Sequence, residues 1–350
     1  MDAKRHHYVP KFLLRRFSCE PTAEDPLIWR LDKESGRTAW ASIKNETVIG
    51  HYYRLEAPKK LSPTAVEKYF SDVEGAAATA IRELVAGGPV SGDELGELAL
   101  FVWVQYARSP LVRTWMTHAR EVAAQAELIS KLNDRDFVAE HYREWDDSLT
   151  AEEAESFRQE LLGGLLDGAW IAQVPHDSEV LGILAGIEKG VSVVARQMSW
   201  YGLRAPQGTE FMLSDHPLAI HDPAAEPDEP VGWLSSPTVE VTLPIDPSLC
   251  LLMKPGPSGY REGETDAAQV QLINLRTYAW GHWAIYGPSE GVVRAVHDDA
   301  ERRGGMVASF APRAPHLLIA EHQKGSTRPF RVSVLRPPSR GSRSRRARRR

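Results

Sequence analysis

The spacing of apolar residues changes several times along the chain. In "LIWRLDKESGRTAWASIKNETVIGHYYRL", apolar and polar residues alternate around the turn-forming cluster "DKESGR", which predicts a strand, turn, strand unit over 28–55. Val66, Phe70, Val73, Ala77, Ile81 and Leu84 then recur at helical spacing and form one buried stripe. Ser62 is placed to cap this helix, Pro63 suits a first helical position, and "GGP" at 87–89 ends it. Ser91 or Asp93 opens the next helix, which runs to about 132 and is kinked or divided at Pro110. Its middle is apolar on nearly all sides, the pattern of a helix central to a bundle. Residues 135–170 are charged and weakly periodic, giving one or two outer helices, and another long helix is predicted over 178–199.

From 200 onward the pattern shifts to short runs broken by Gly and Pro: "WYGLRAP", "EFMLSDHPLAI" and "TVEVTLPIDPSLCLLMKP". These read as strands joined by turns. "ETDAAQVQLINLRTYAW" inserts a helix, and "HLLIAEHQ" and "FRVSVL" supply late strands. The expected class is α+β, mainly a helical bundle in the N-terminal half and mixed or antiparallel strands with helices in the C-terminal half. One α+β domain over 1–335 is expected, with a division into two lobes, 1–199 and 200–335, left open.

Composition adds limits. No run approaches the ~18 apolar residues of a spanning helix, and the first twenty residues lack the apolar centre of a signal peptide. Cys19 and Cys250 match neither a disulfide framework nor a zinc knuckle. A cytoplasmic protein is expected. The last fifteen residues, "RPPSRGSRSRRARRR", hold eight arginines and no acid. Removing that charge from the whole-chain −5 leaves about −13 on residues 1–335. Such an acidic body disfavours broad nucleic-acid binding through a folded surface, and the tail at 336–350 reads as disordered, with weak, salt-sensitive contact to nucleic acid or acidic partners.

Candidate chemistry begins with "KRHHYVPKFLLRRF" at 4–17. In an extended segment His6 and Tyr8 project one way and His7 the other, so the two histidines cannot share one metal without a turn. From Pro10 a two-turn helix would carry Leu13 and Phe17 inward, divide Arg15 and Arg16 between its sides and leave free N–H groups beside His6 and Tyr8, an anion site in principle. The alternative is an arm that packs on the core. In "MLSDHPLAI", Ser214 and Asp215 end a strand, where Asp215 could bind a divalent metal or orient a histidine, or simply accept N–H bonds in a turn. Glu74 borders its helix's buried stripe, and Arg108 lies one turn from Gln105 in an apolar stretch. A charge placed there needs a partner, and Glu74 with Arg108 is the obvious pair. Otherwise Arg108 faces a cleft and grips a carboxylate or phosphate.

The phosphate-loop, dinucleotide-binding, nucleophile-elbow, H-E-x-x-H and paired C-x-x-C patterns are all absent, and His51, His118, His282 and His297 lie scattered without ligand spacing. Taken together, "HHYVPKFLLRRF", "VEKYFSDVEGAAATAI", "LALFVWVQYARSP", "MLSDHPLAI", "LPIDPSLCLLM" and "INLRTYAWG" resemble the bacterial domain-of-unknown-function 4238 family over nearly the whole chain to about 285. The opening motif is the most specific part. Where relatives often carry Asn between the Asp and Pro of the strand end, this chain has His216. The resemblance supplies no reaction, but it implies that His6, His7, Glu74, Arg108 and Asp215 converge. On that expectation the leading reading is a metal-assisted or acid–base hydrolase of a phosphorylated or nucleotide-like substrate. His6 or His7 would be ligand or base, Asp215 ligand or orienter and Arg108 an anion clamp, with Tyr8, Arg16, Glu74 and Ser214 as further binding residues. A binding or sensing module for a small anionic ligand, and a wholly structural network, are the other readings.

Overall fold

The architecture is that of a computed structural model, which describes residues 5–56, 60–135, 140–141, 150–225 and 236–312, and as backbone 317–323 and 326–332. The N-terminal motif forms a short strand, β1 (Arg5–His7), and a short helix, α1 (Lys11–Arg16). The alternating segment folds as a hairpin, β2 (Leu27–Asp32) with β3 (Thr38–Ser42). It does not continue as one unit to 55. β4 (Val48–Gly50) leaves the hairpin and pairs antiparallel with β1 instead, His6 opposite Ile49 and His7 opposite Val48.

Helices follow: α2 (Ala65–Val85), α3 (Gly92–Ala107), α4 (Pro110–Asn133), α5 (Ala151–Asp167), α6 (His176–Ala185) and α7 (Ile187–Arg196). α2 carries the predicted stripe inward, but it starts after Thr64, so Ser62 and Pro63 precede it. Pro110 divides two helices. Ser109 accepts the Val112 N–H at the start of α4, and Pro110 occupies the first turn, where its missing N–H costs nothing. The helix expected over 178–199 is two, broken at Gly186, and its last residues already belong to a strand. Residues 136–139 and 142–149, within the expected outer helices, lie outside the described residues, as do 333–335 and the tail at 336–350.

The later half supplies β5 (Met198–Arg204), β6 (Leu213–Ser214), β7 (Ala219–His221), β8 (Glu240–Asp246), β9 (Leu249–Pro255) and β10 (Gly259–Gly263). After these come α8 (Ala267–Trp280), β11 (Ala284–Gly287), α9 (Glu290–Arg302), α10 (Gly304–Phe310), β12 (Leu317–Gln323) and β13 (Ser326–Val332). One sheet has the order β10-β5-β9-β8-β7, antiparallel except where β10 runs parallel to β5. A second, β3-β2-β11-β6, is antiparallel throughout. The fold is α+β. β10, β11, α9 and α10 have no counterpart among the predicted elements.

The main core joins both halves of the chain. Val9, Leu13, Leu14 and Phe17 pack in it with Phe70 and Ile81 of α2, Phe101 of α3, Trp200 of β5, Leu243 of β8 and Leu251 of β9. α1 is thus enclosed between helices and the five-stranded sheet. A second cluster, with Leu31, Ile285, Leu275, Val293 and Phe310, lies between the four-stranded sheet and α8 to α10. No helix among the described residues is long and apolar enough to cross a membrane.

Candidate functional site

β1 alternates as its extended backbone requires, with His6 buried and His7 half-buried. The Nδ1 of His6 accepts the Tyr53 N–H at 2.8 Å, its ring stacks on that of Tyr53 at 5.4 Å, and its Nε2 lies 3.3 Å from Glu67 of α2. Both ring nitrogens are engaged. His7 bonds the backbone of Glu46 and leaves Nδ1 buried without a hydrogen-bond partner. Burial, then the charge of Lys11, pushes its pKa down to about 4. Tyr8 is buried, its carbonyl accepts from Gln105 Nε2 at 2.9 Å, and burial followed by the charge of Asp215 drives its phenol far above the usual range.

Arg108 is fully buried and meets Glu74 Oε1 at 2.5 Å, as the helix spacing predicts. Its Nε and Nη2 both donate to Gln105 Oε1, so α2, α3 and the Tyr8 carbonyl are linked in one chain of hydrogen bonds. Its guanidinium lies 5.8 Å over the Phe70 ring, closed in the core. Arg16 pairs with Asp246 at 2.9 Å, fastening α1 to the end of β8.

Asp215 accepts the His282 N–H on Oδ1 at 2.7 Å and the Trp283 N–H on Oδ2 at 2.8 Å. It is buried, which raises its pKa to about 6 against the pull of those donors and of Lys33. Ser214 closes a turn, donating to the His216 carbonyl and accepting the His216 N–H. Tyr8 and Asp215 do share one electrostatic neighbourhood, together with Tyr286, whose hydroxyl donates to Glu46 at 2.9 Å. These residues do not assemble a ligand set: both ring nitrogens of His6 are engaged, each oxygen of Asp215 already accepts a backbone N–H, and His7 Nδ1 stands without a second ligand gathered beside it among the described residues. Among the described residues no three His, Cys, Asp or Glu side chains gather as a metal site.

An open cleft lies elsewhere, between β4, the Tyr52 segment, the first half of α4 and the start of α6. It has a volume of about 600 Å³ and is lined by the apolar Ile49, Tyr52 and Pro110 and by the polar Arg113, His118, Glu121, His176 and Glu179. Local chemistry sets this shape. His51, with φ +55°, turns the chain sharply after β4, sending the Tyr53 N–H onto His6 and Tyr52 into the cleft wall. The start of α6 is tied to the same segment by Asp177, which accepts the Glu56 N–H at 2.6 Å, and by His176 Nε2, 3.0 Å from the Arg54 carbonyl.

Arg113 forms the cleft's buried wall. Its Nη1 donates to the Tyr52 carbonyl at 2.7 Å, its Nη2 to Glu179 at 2.9 Å, and its guanidinium lies 4.4 Å over the Tyr52 ring. His176 Nδ1 is 3.3 Å from the same Nη2. His118 and Glu121 are looser, 3.8 Å apart, with side chains 33% and 30% exposed. The sequence carries a signal for this site that spacing to other histidines could not show. "HARE" at 118–121 and "HDSE" at 176–179 are both H-x-x-E, which on a helix puts the two side chains on one face. The fold then brings both faces to one cleft.

An α+β chain whose opening segment packs into its main core, with a polar cleft beside it, is thereby defined. Residues 5–299 match the family model described as protein of unknown function (DUF4238), and the chain belongs to that family. No curated protein and no solved structure matches it.

Proposed function

We propose that this protein binds a small polar molecule in the cleft formed by Tyr52, Arg113, His118, Glu121, His176 and Glu179. The observation that carries this reading is the cleft itself: about 600 Å³, the size that holds small-molecule ligands, lined by apolar residues together with titratable groups from two helices. The residues of the opening motif act differently in this reading. His6, Arg108 and Asp215 are enclosed and spend their polar atoms on neighbouring backbone and side chains, which supports a structural role rather than hydrolysis of a phosphorylated substrate through them. A buried group held by its own neighbours and set away from the open cleft is poorly placed to serve a substrate.

Thr117, on the wall of the cleft, provides the test. Thr117→Trp fills the space without touching the motif. A thermal-shift panel of amines, sugars, carboxylates and nucleotides should contain at least one class that raises the melting temperature of the wild type and leaves the folded variant unchanged. A shift of equal size in both proteins would place binding elsewhere and remove the proposal.

A further inference from the structure

Resting on that reading of the cleft, we infer that its ligand is a small cation carrying a primary amine or guanidinium group, anchored by Glu121 with Glu179 beside it. The charge balance leads there. Among the described residues, Arg113 is the single arginine lining the cleft and no lysine lines it. That guanidinium is spent on the Tyr52 carbonyl, Glu179 and the Tyr52 ring, so it cannot serve as a clamp for an incoming anion. Arg120, on the same helix, donates to the Ser178 carbonyl at 2.7 Å.

Glu179 and Arg113 neutralise one another, so Glu121 is the lining carboxylate left to receive a cation. Glu121 has His118 as its ion-pair partner among the described residues, at 3.8 Å and without a hydrogen bond. Its oxygens are open to a charge-assisted bond, the strongest polar contact this cleft can offer. Thr114, Thr117 and His118 lie along the same helix wall, while Ile49, Tyr52 and Pro110 give an apolar bed for a short methylene chain. An anionic ligand would meet the opposite: a lining arginine already spent on its neighbours, and the Glu121 carboxylate to repel it.

The probes are agmatine and putrescine, with glucose and AMP as neutral and anionic comparisons, titrated calorimetrically into the full chain. Wild type should bind at least one of the two amines, more weakly as salt is raised. Glu121→Gln should weaken that binding by about tenfold or more, from the loss of a charge-assisted bond. Thr117→Trp should abolish it, with circular dichroism and melting temperature confirming that both variants are folded. If glucose or AMP binds instead and Thr117→Trp blocks it, the ligand class is overturned while the cleft remains a binding site. If no probe binds wild type, the amine inference falls, and a panel negative across all classes removes the cleft reading with it. Amine binding unchanged in Glu121→Gln would overturn the assignment of the anchor.

Discussion

Arg108 shows how a buried charge is made tolerable. An isolated guanidinium in this core would cost several kcal/mol, by the general scale for unpaired buried ions. Glu74 and Gln105 offset that cost, and Gln105 passes the constraint on to the Tyr8 carbonyl. The two ends of the network are not equivalent. Glu74 is 27% exposed at its side chain and can turn to water, whereas Arg108 cannot. Arg108→Ala should thus lower unfolding free energy by about 3–5 kcal/mol, and Glu74→Gln by only about 1 kcal/mol, since an amide oxygen still accepts. Urea unfolding of the two variants beside wild type measures the difference, and equal losses would mean that the ion pair, not the enclosed guanidinium, dominates. The Glu74–Arg108 pair was legible in the sequence because a charge in an apolar helix demands a partner and one stood on the neighbouring helix. That Asp215 accepts backbone N–H bonds was one of its two readings, but which donors it meets, and the role of His6, were not legible. Beyond the Glu67 contact of His6, their donors are backbone N–H groups of Tyr53, His282 and Trp283, and a backbone donor leaves no mark in the residue pattern.

At the scale of the element, β4 does most to shape both the motif and the cleft. It is three residues long and bounded by two non-glycine residues in the left-handed region, Thr47 at φ +52° and His51 at φ +55°. Such a conformation costs an L-residue roughly 1–2 kcal/mol. The two positions differ in what they gain. Thr47 is buried and donates its hydroxyl to the Val9 carbonyl at 3.1 Å, which binds β4 to the opening motif a second time. His51 is exposed, and its contribution is the turn itself. His51→Gly should relieve the strain and leave stability unchanged or up to about 1 kcal/mol higher, after the entropy of the added glycine is counted. Thr47→Gly should instead destabilise by about 1–2 kcal/mol, because the hydrogen bond and buried methyl go with the strain. Melting curves of both would show opposite signs. Helices with a clear stripe or cap were readable here; β4 was not, because alternation predicts a strand without naming its partner. The same limit explains β10, whose "GYREG" offers little apolar alternation and gains its place from pairing with β5. The long helix expected over 178–199 ended early because the pattern runs on through Gly186, whereas the chain does not.

Across the whole molecule, the buried titratable groups make stability depend on pH in a way that surface pairs would not. His216 lies between Trp280 and Tyr106 and bonds the Leu218 carbonyl through Nδ1, while its Nε2 has no hydrogen-bond partner. Burial lowers its pKa to about 4, against the raising effect of that carbonyl. A histidine whose folded pKa is depressed contributes stability that is present above its unfolded value near 6.5 and is lost as pH falls through the folded value. Asp215 beside it runs the other way. With a folded pKa raised to about 6, its contribution is complete below its unfolded value near 4 and is lost as pH rises toward 6. The two residues therefore oppose one another across the window from pH 6.5 to pH 4, and His7, also lowered to about 4, adds on the side of His216, discounted for its partial exposure. His216→Asn separates them. The asparagine amide can reach the Leu218 carbonyl as Nδ1 does, and the titrating ring is gone; the smaller side chain leaves a gap beside Trp280 whose cost does not change with pH. Unfolding free energies measured at pH 4, 5, 6 and 7 should show wild type losing up to about 3 kcal/mol relative to the variant on going from pH 7 to pH 4, the linkage value of a shift of this size. Parallel pH profiles for the two proteins would mean that His216 is reached by water and titrates as in the unfolded chain, and the closure of the core around the Ser214–His216 turn would then be wrong.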